Sequence, residues 1–239
     1  MTREVRVGVL ASGRGSNFEA LATALNTRSL AMSASSSEHT SFSESSARVV
    51  CLGTDNPKAG ALQIAERLGI AHFVVNETAK QGRLQASNEQ EVCDFLRQHQ
   101  VDLICLAGFM RIVRGPLLAH YKRAILNIHP SLLPSFPGLH GPQQALEHGV
   151  QVTGCTVHFV DAGIDTGPIL LQAAVPIVEG DNVSTLTDRI QTEEHRIYPQ
   201  AVRLWSSGRV QVDEGRVILL PPTTPEPGTS LTAGKEETS

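Results

Sequence analysis

Val5-Arg-Val-Gly-Val-Leu-Ala-Ser-Gly-Arg-Gly-Ser-Asn17 is the stretch that decides the fold. Val5–Ala11 is a nearly continuous apolar run, the pattern of a strand buried on both faces. Ser12–Asn17 turns the chain through two glycines. Asn17–Leu30 then carries apolar residues at helical spacing, Phe18, Leu21, Ala22 and Leu25. Strand, glycine turn and helix recur outward from this unit. Arg48–Gly53, Ala71–Val75, Val101–Ala107 and Ala124–Ile128 read as further strands. Ala59–Leu68, closed by Gly69, and Ala86–Gln98 read as helices. Such alternation predicts an α/β fold with a mostly parallel central sheet and helices on both faces. Ligands in such sheets bind at the carboxyl ends of the strands.

The second half departs from that rhythm. Thr153–Val160 and Ile169–Val178 read as a strand pair joined by Asp161–Thr166. Val183–Leu204 reads as a long helix, broken or ended near Tyr198-Pro199. Arg209–Val212 and Arg216–Leu220 form a small hairpin across Asp213-Glu214-Gly215. Residues 1–220 are expected to form a single domain. A Ser-rich insertion at 33–46 and a Pro/Thr/Gly/Glu tail at 221–239 are expected to be disordered, since neither can bury enough apolar area to offset its ordering entropy.

Composition narrows the function classes. Hydrophobic residues are 41% of 239, enough for a core, and the net charge is −4 with nine His neutral. That balance argues against nucleic acid as a partner, which calls for a basic excess. No apolar run is long enough to span a bilayer, so no membrane association is expected. Met1-Thr-Arg-Glu4 leads into the first strand without a signal-peptide core. Cys51, Cys93, Cys105 and Cys155 form no Cys-x-x-Cys pair, and three of them lie inside apolar runs. They read as reduced, structural thiols of a cytoplasmic protein, and no metal site is expected from them.

The glycine loop favours an anion. Gly13 and Gly15 let the backbone approach a ligand closely, and the following helix offers free N–H groups. Asn17 suits the N-cap. A dinucleotide loop would place a third glycine where Phe18 stands, and the lysine of a Walker A loop is missing. A single phosphate therefore fits best. The alternative is a tight turn that needs glycine for geometry alone.

Asn127-Ile-His-Pro-Ser-Leu-Leu-Pro134 carries the chemistry. Asn127 and His129 stand at i and i+2 at the end of a strand, so an amide and an imidazole share one face. The amide donates to an oxygen that gains charge, and the imidazole moves a proton near neutral pH. Asp165, in Asp161-Ala-Gly-Ile-Asp165-Thr-Gly-Pro168, offers a carboxylate that can hold the imidazole in a chosen state. Spacing alone does not pair the two. A structural histidine and an ordinary turn aspartate are the competing readings. Metal ligation would recruit His140, His148 or His158, none at metal-binding spacing, and no Gly-x-Ser-x-Gly elbow is present.

Together with Leu106–Val113, Leu126–Leu139, Thr156–Pro168 and Gln191–Pro199, these motifs resemble the glycinamide ribonucleotide formyltransferases of purine synthesis. The resemblance runs from about Val5 to Leu220, apart from the Ser-rich insertion. It implies a Rossmann-like formyltransferase fold and formyl transfer from 10-formyltetrahydrofolate, as co-substrate, to the glycine amine of 5-phosphoribosylglycinamide. By the same resemblance Asn127, His129 and Asp165 are catalytic. Gly15, Ser16, Asn17, Gln191 and Glu194 bind the ribonucleotide. Arg83, Met110, Arg111, Ile112, Val113, Asn127, Asp161 and Asp165 bind the folate. It implies small-molecule substrates only, no metal, and a monomer or homodimer. Gly141 stands where some relatives carry a second histidine after His140. Two relatives sharing the Asn/His/Asp core compete. A methionyl-tRNA formyltransferase would need a C-terminal RNA-binding domain, and a formyltetrahydrofolate deformylase usually an N-terminal regulatory one. From another class, a non-catalytic nucleotide-binding module would bind phosphate without turnover.

Overall fold

Each predicted apolar run becomes a strand or a helix in the computed structural model, which describes residues 3–31, 46–75 and 82–221. The Ser-rich segment 33–46 lies outside the described residues up to position 45, and the tail 221–239 beyond position 221. In chain order the first half is β1 (Val5–Leu10), α1 (Ser16–Ala31), β2 (Ala47–Thr54), α2 (Gly60–Leu68), β3 (Ala71–Val74), β4 (Gly82–Arg83), α3 (Ala86–Gln98), β5 (Leu103–Leu106), β6 (Arg111–Ile112), α4 (Pro116–His120) and β7 (Ile125–His129). The second half is α5 (Gly141–Glu147), β8 (Val152–Phe159), β9 (Ile169–Pro176), α6 (Val183–Ser206), β10 (Val210–Asp213) and β11 (Arg216–Leu219).

Seven strands form one sheet in the order β3-β2-β1-β5-β7-β8-β9. The first five are parallel, and β8 and β9 add as antiparallel neighbours. The chain moves outward from β1 to β3, then returns to the other side of β1 as β5. That reversal leaves a crevice between the carboxyl ends of β1 and β5, the usual ligand position in such sheets. Two hydrophobic clusters cover the two faces. Phe18, Leu21, Ala61, Leu186, Ile190 and Val202 pack against Val7 and Val9 on one side. Val92, Leu96, Leu117 and Tyr121 pack against Leu10 and Ile104 on the other. Burial on both faces explains why the β1 run is continuous rather than alternating. Among the described residues no helix is long and apolar enough to cross a membrane.

The long helix corrects one expectation. It does not break at Tyr198-Pro199 but runs through Pro199 to Ser206. Asn182 starts it with a capping box, accepting from the Ser184 and Thr185 N–H groups while Thr185 Oγ1 accepts from the Asn182 N–H. An interior proline costs about 3 kcal/mol, and packing offsets it here. Ile197, Tyr198, Pro199, Ala201 and Val202 are all buried, and a fully buried large side chain contributes roughly 1.5–3 kcal/mol. The Tyr198 hydroxyl also lies 2.9 Å from the Leu106 carbonyl and 3.0 Å from that of Leu126, in β5 and β7. It pins α6 to two neighbouring strands of the sheet. Tyr198→Phe should therefore lower stability by about 1–2 kcal/mol with the fold retained, read as the shift in urea midpoint at unchanged slope.

Candidate active site

Four loops meet at the carboxyl ends of β1, β2, β5 and β7. The first is the glycine loop. Gly15 has φ +87°, and a Cβ there would lie 2.7 Å from the Cα of Ala61. Glycine is thus needed both for conformation and for close packing against α2. Helix α1 begins at Ser16, so Asn17 is not the N-cap but stands in the first turn. Its amide has a stronger partner, for Asn17 Nδ2 donates to Glu194 Oε2 on α6 at 2.7 Å. The structure so joins two of the predicted ribonucleotide residues, with Gln191, half-buried, one turn earlier on α6. Glu194 is 5% exposed. Burial pushes its carboxyl above the ordinary value, opposed by the Asn17 amide.

The second centre lies at the end of β7. The antiparallel pairing with β8 sets Asn127 opposite His158 and His129 opposite Thr156. His129 Nδ1 is 3.3 Å from Asp165 Oδ2. His129 Nε2 is 2.9 Å from the Phe136 carbonyl. Both neighbours are acceptors, so only a ring protonated on both nitrogens satisfies them together. Asn127 Nδ2 lies 3.5 Å from Asp165 Oδ1 and 3.1 Å from His158 Nε2. His158 Nε2 stands 3.6 Å from the same carboxylate oxygen. His158 Nδ1 faces the Phe159 carbonyl at 2.9 Å, which leaves Nε2 to accept from the amide. Burial alone would raise the Asp165 carboxyl. The His158 imidazole, the Gly138 N–H at 2.7 Å and the charge of His129 outweigh that and hold it below its ordinary value. Asp165 itself sits at φ +53°, a region few non-glycine residues adopt.

The Pro130–Leu139 loop supplies two of these contacts, and buried hydroxyls shape it. Thr156 Oγ1 donates to the Ser131 carbonyl at 2.7 Å and accepts from the Leu133 N–H at 3.1 Å. Ser131 Oγ donates to the Ser135 carbonyl. The Phe136 carbonyl then faces His129, and the Gly138 N–H faces Asp165.

The predicted folate residues fall into two groups. Met110–Val113 follows β5, and Arg111 and Ile112 pair as β6 with Gly82 and Arg83 of β4. Arg83 is thereby placed beside Ile112 through its backbone; its side chain lies outside the described residues. Met110 is exposed and Val113 buried. The Arg111 guanidinium does not face outward but donates to Asp55 at 2.6 Å, each side chain 7% exposed. Asp161 is used by its own turn, accepting from the Gly163 N–H and the Thr166 hydroxyl.

Sequence reading missed His158, Thr156 and Asp55 as parts of the site. The first two had a signal: Thr156 and His158 alternate on a strand that pairs with Asn127 and His129. Asp55 had none, because its partners Ser12 and Arg111 are distant in sequence. Burial pushes the Cys51, Cys105 and Cys155 thiols up to about 12, so they are inert packing at neutral pH.

Known proteins match this arrangement. The formyl transferase family matches residues 5–202. Phosphoribosylglycinamide formyltransferase of Bacillus subtilis is 41% identical over 83% of this chain and 93% of its own length. The trifunctional purine biosynthetic protein adenosine-3 of Homo sapiens is 42% identical over 90% of this chain. The chain spans only 20% of that protein and 14% of its Drosophila melanogaster counterpart. Glycinamide ribonucleotide transformylase 1 from Symbiobacterium toebii superposes with a TM-score of 0.79 at 44% identity, over 91% of this chain and 95% of its own.

The Glu194 environment has a pH signature. The folded chain holds this proton more tightly than the unfolded one. Between the ordinary value of 4.5 and the raised one, the folded state binds more protons, so stability falls as pH rises through that window. Glu194→Gln should remove this fall, seen as a flatter Tm against pH than in the wild type.

Proposed function

Because this chain belongs to the formyl transferase family, we propose that it transfers a formyl group from 10-formyltetrahydrofolate to the glycine amine of 5-phosphoribosylglycinamide, in purine biosynthesis. The relatives of similar length carry the name phosphoribosylglycinamide formyltransferase. The observation that carries the reading is the cluster of Asn127, His129 and Asp165 at the end of β7.

The amine nitrogen bonds to the formyl carbon, and the bond from that carbon to the folate nitrogen breaks. The amine loses a proton and the folate nitrogen gains one, so the step balances without a further reactant. As the amine attacks, the formyl oxygen gains charge. In this step the Asn127 amide and the His129 Nε2–H exchange their resting acceptors, His158 Nε2 and the Phe136 carbonyl, for that oxygen, with about 3 kcal/mol at stake per donor. Asp165 keeps His129 oriented, and the imidazole relays a proton to the departing nitrogen. The first turn of α1, with Gly15, Ser16 and Asn17, receives the acceptor phosphate. Gln191 and Glu194 face the rest of the ribonucleotide. Met110, Leu139 and Ile164 are exposed apolar side chains. Leu139 and Ile164 are chain neighbours of Gly138 and Asp165, which are bonded to each other, and are the apolar groups this reading assigns to the pterin. The reading places the protein in the cytoplasm, where its buried thiols stay reduced.

Two measurements test this. The purified protein should consume 10-formyltetrahydrofolate only when phosphoribosylglycinamide is present. Equal consumption without the acceptor would make it a deformylase. Asp165→Asn should lower kcat by roughly 10²–10⁴ while the circular dichroism spectrum stays that of the wild type. Wild-type turnover in that variant would remove Asp165 from the mechanism.

A further inference from the structure

The loops that flank the crevice between β1 and β5 meet on one buried carboxylate, that of Asp55. It follows β2, outside the catalytic cluster. Its two oxygens have different partners. Oδ1 accepts from the Ser12 hydroxyl of the glycine loop, and Oδ2 accepts from Arg111 Nε of the segment after β5. Ser12 links the same two segments directly. Its Oγ accepts from the Met110 N–H at 2.9 Å, and its own N–H donates to the Gly108 carbonyl at 3.1 Å. Asn56 Nδ2 closes the ring by donating to the Ser12 carbonyl at 3.0 Å.

Burial makes this more than a surface contact. The Asp55 and Arg111 side chains are each 7% exposed. A charge pair that deep is costly to separate, because either ion alone would be left desolvated. The ring is therefore stiff, and it spans the point between β1 and β5 where the strand order reverses. On one side of it lies the loop that receives the acceptor phosphate, on the other the segment that lines the donor pocket. The separation of those two anchors fixes how far the acceptor amine stands from the formyl carbon.

We propose that Asp55, acting through Ser12 and Arg111, is a positioning residue that sets the distance between the acceptor and donor subsites. The inference rests on the formyl-transfer reading. Its consequence is specific. Loosening the ring leaves each substrate its own contacts but lets the two drift out of alignment. Rate falls while binding persists, as expected when near-attack geometry rather than affinity is lost.

The experiment uses two variants of the full chain. Asp55→Asn keeps the shape, but its amide then faces a hydroxyl that already accepts from Met110, and Arg111 loses its counter-charge. Ser12→Ala removes one hydroxyl and leaves the ion pair intact, so it reports on the ring should Asp55→Asn fail to fold. For each, kcat and both KM values are measured well below Tm, and dissociation constants for tetrahydrofolate and for phosphoribosylglycinamide are measured separately by calorimetry. We expect kcat to fall by about tenfold or more, with both KM values and both dissociation constants within about threefold of wild type. The pH dependence of kcat should keep its wild-type shape, since the His129–Asp165 contact is untouched. A lower Tm with unchanged kcat would make the ring purely structural and overturn the proposal. A rise in one or both KM values at constant kcat would make it part of a binding wall, and would overturn it too. Failure of the formyl-transfer reading itself would show differently, as absent acceptor-dependent turnover in the wild type.

Discussion

The reversal of strand direction at β7 is the constraint on which the site depends. Up to β7 the sheet is parallel, and its strands deliver loops to one edge. From β7 to β8 the pairing is antiparallel, which brings residues into direct cross-strand opposition. Asn127 meets His158 and His129 meets Thr156 in a register that no loop can alter. Slipping that register by one residue would turn every one of these side chains to the other face. Asn127 and His129, proposed to act on the formyl group, thus stand on paired strands, while the Pro-rich loop and the 161–168 loop bring the groups that complement them, the Asp165 carboxylate among them.

Fully buried polar groups hold those loops. Thr156 Oγ1 donates once and accepts from both the Leu133 N–H and Gln172 Nε2, so its hydrogen-bonding capacity is filled. An unfilled hydroxyl at that depth would cost on the order of 1–3 kcal/mol. Saturation of this group is what sets where the Phe136 carbonyl and the Gly138 N–H point. Phe136 at φ +55° and Asp165 at φ +53° are strained conformations that persist because neighbouring hydrogen bonds over-determine them.

Much of this was legible in the sequence. Continuous apolar runs such as Val5–Ala11 reveal strands buried on both faces, and i, i+2 spacing puts Asn127 and His129 on one side. What was hidden has physical reasons. Pro199 looks like a helix end because local propensity opposes it, yet Tyr198 and its neighbours bury enough surface to carry α6 through. Asn17 looks like a cap because its side chain suits one, yet α1 already begins at Ser16 and the Asn17 amide donates instead to a buried carboxylate 177 residues away. Asp55 looks like a loop residue because its partners lie 43 and 56 residues distant. In each case a long-range contact overrides a local preference. Long-range contacts are what a one-dimensional reading sees least.

The same geometry separates chemistry from recognition. The amide, imidazole and carboxylate proposed to handle the formyl carbon belong to β7 and the loop after β8. The buried Asn17–Glu194 pair belongs to α1 and α6, on the proposed acceptor side. One side chain registers the two halves. Tyr198 stands four residues after Glu194, on the same face of α6, and its hydroxyl reaches the carbonyls of Leu106, which ends β5, and Leu126, inside β7. Leu126 immediately precedes Asn127. A shift of α6 that moved Glu194 would therefore strain the strand that carries the amide. Change of acceptor within this fold can thus proceed through α1 and α6 only while the Tyr198 anchor keeps its place.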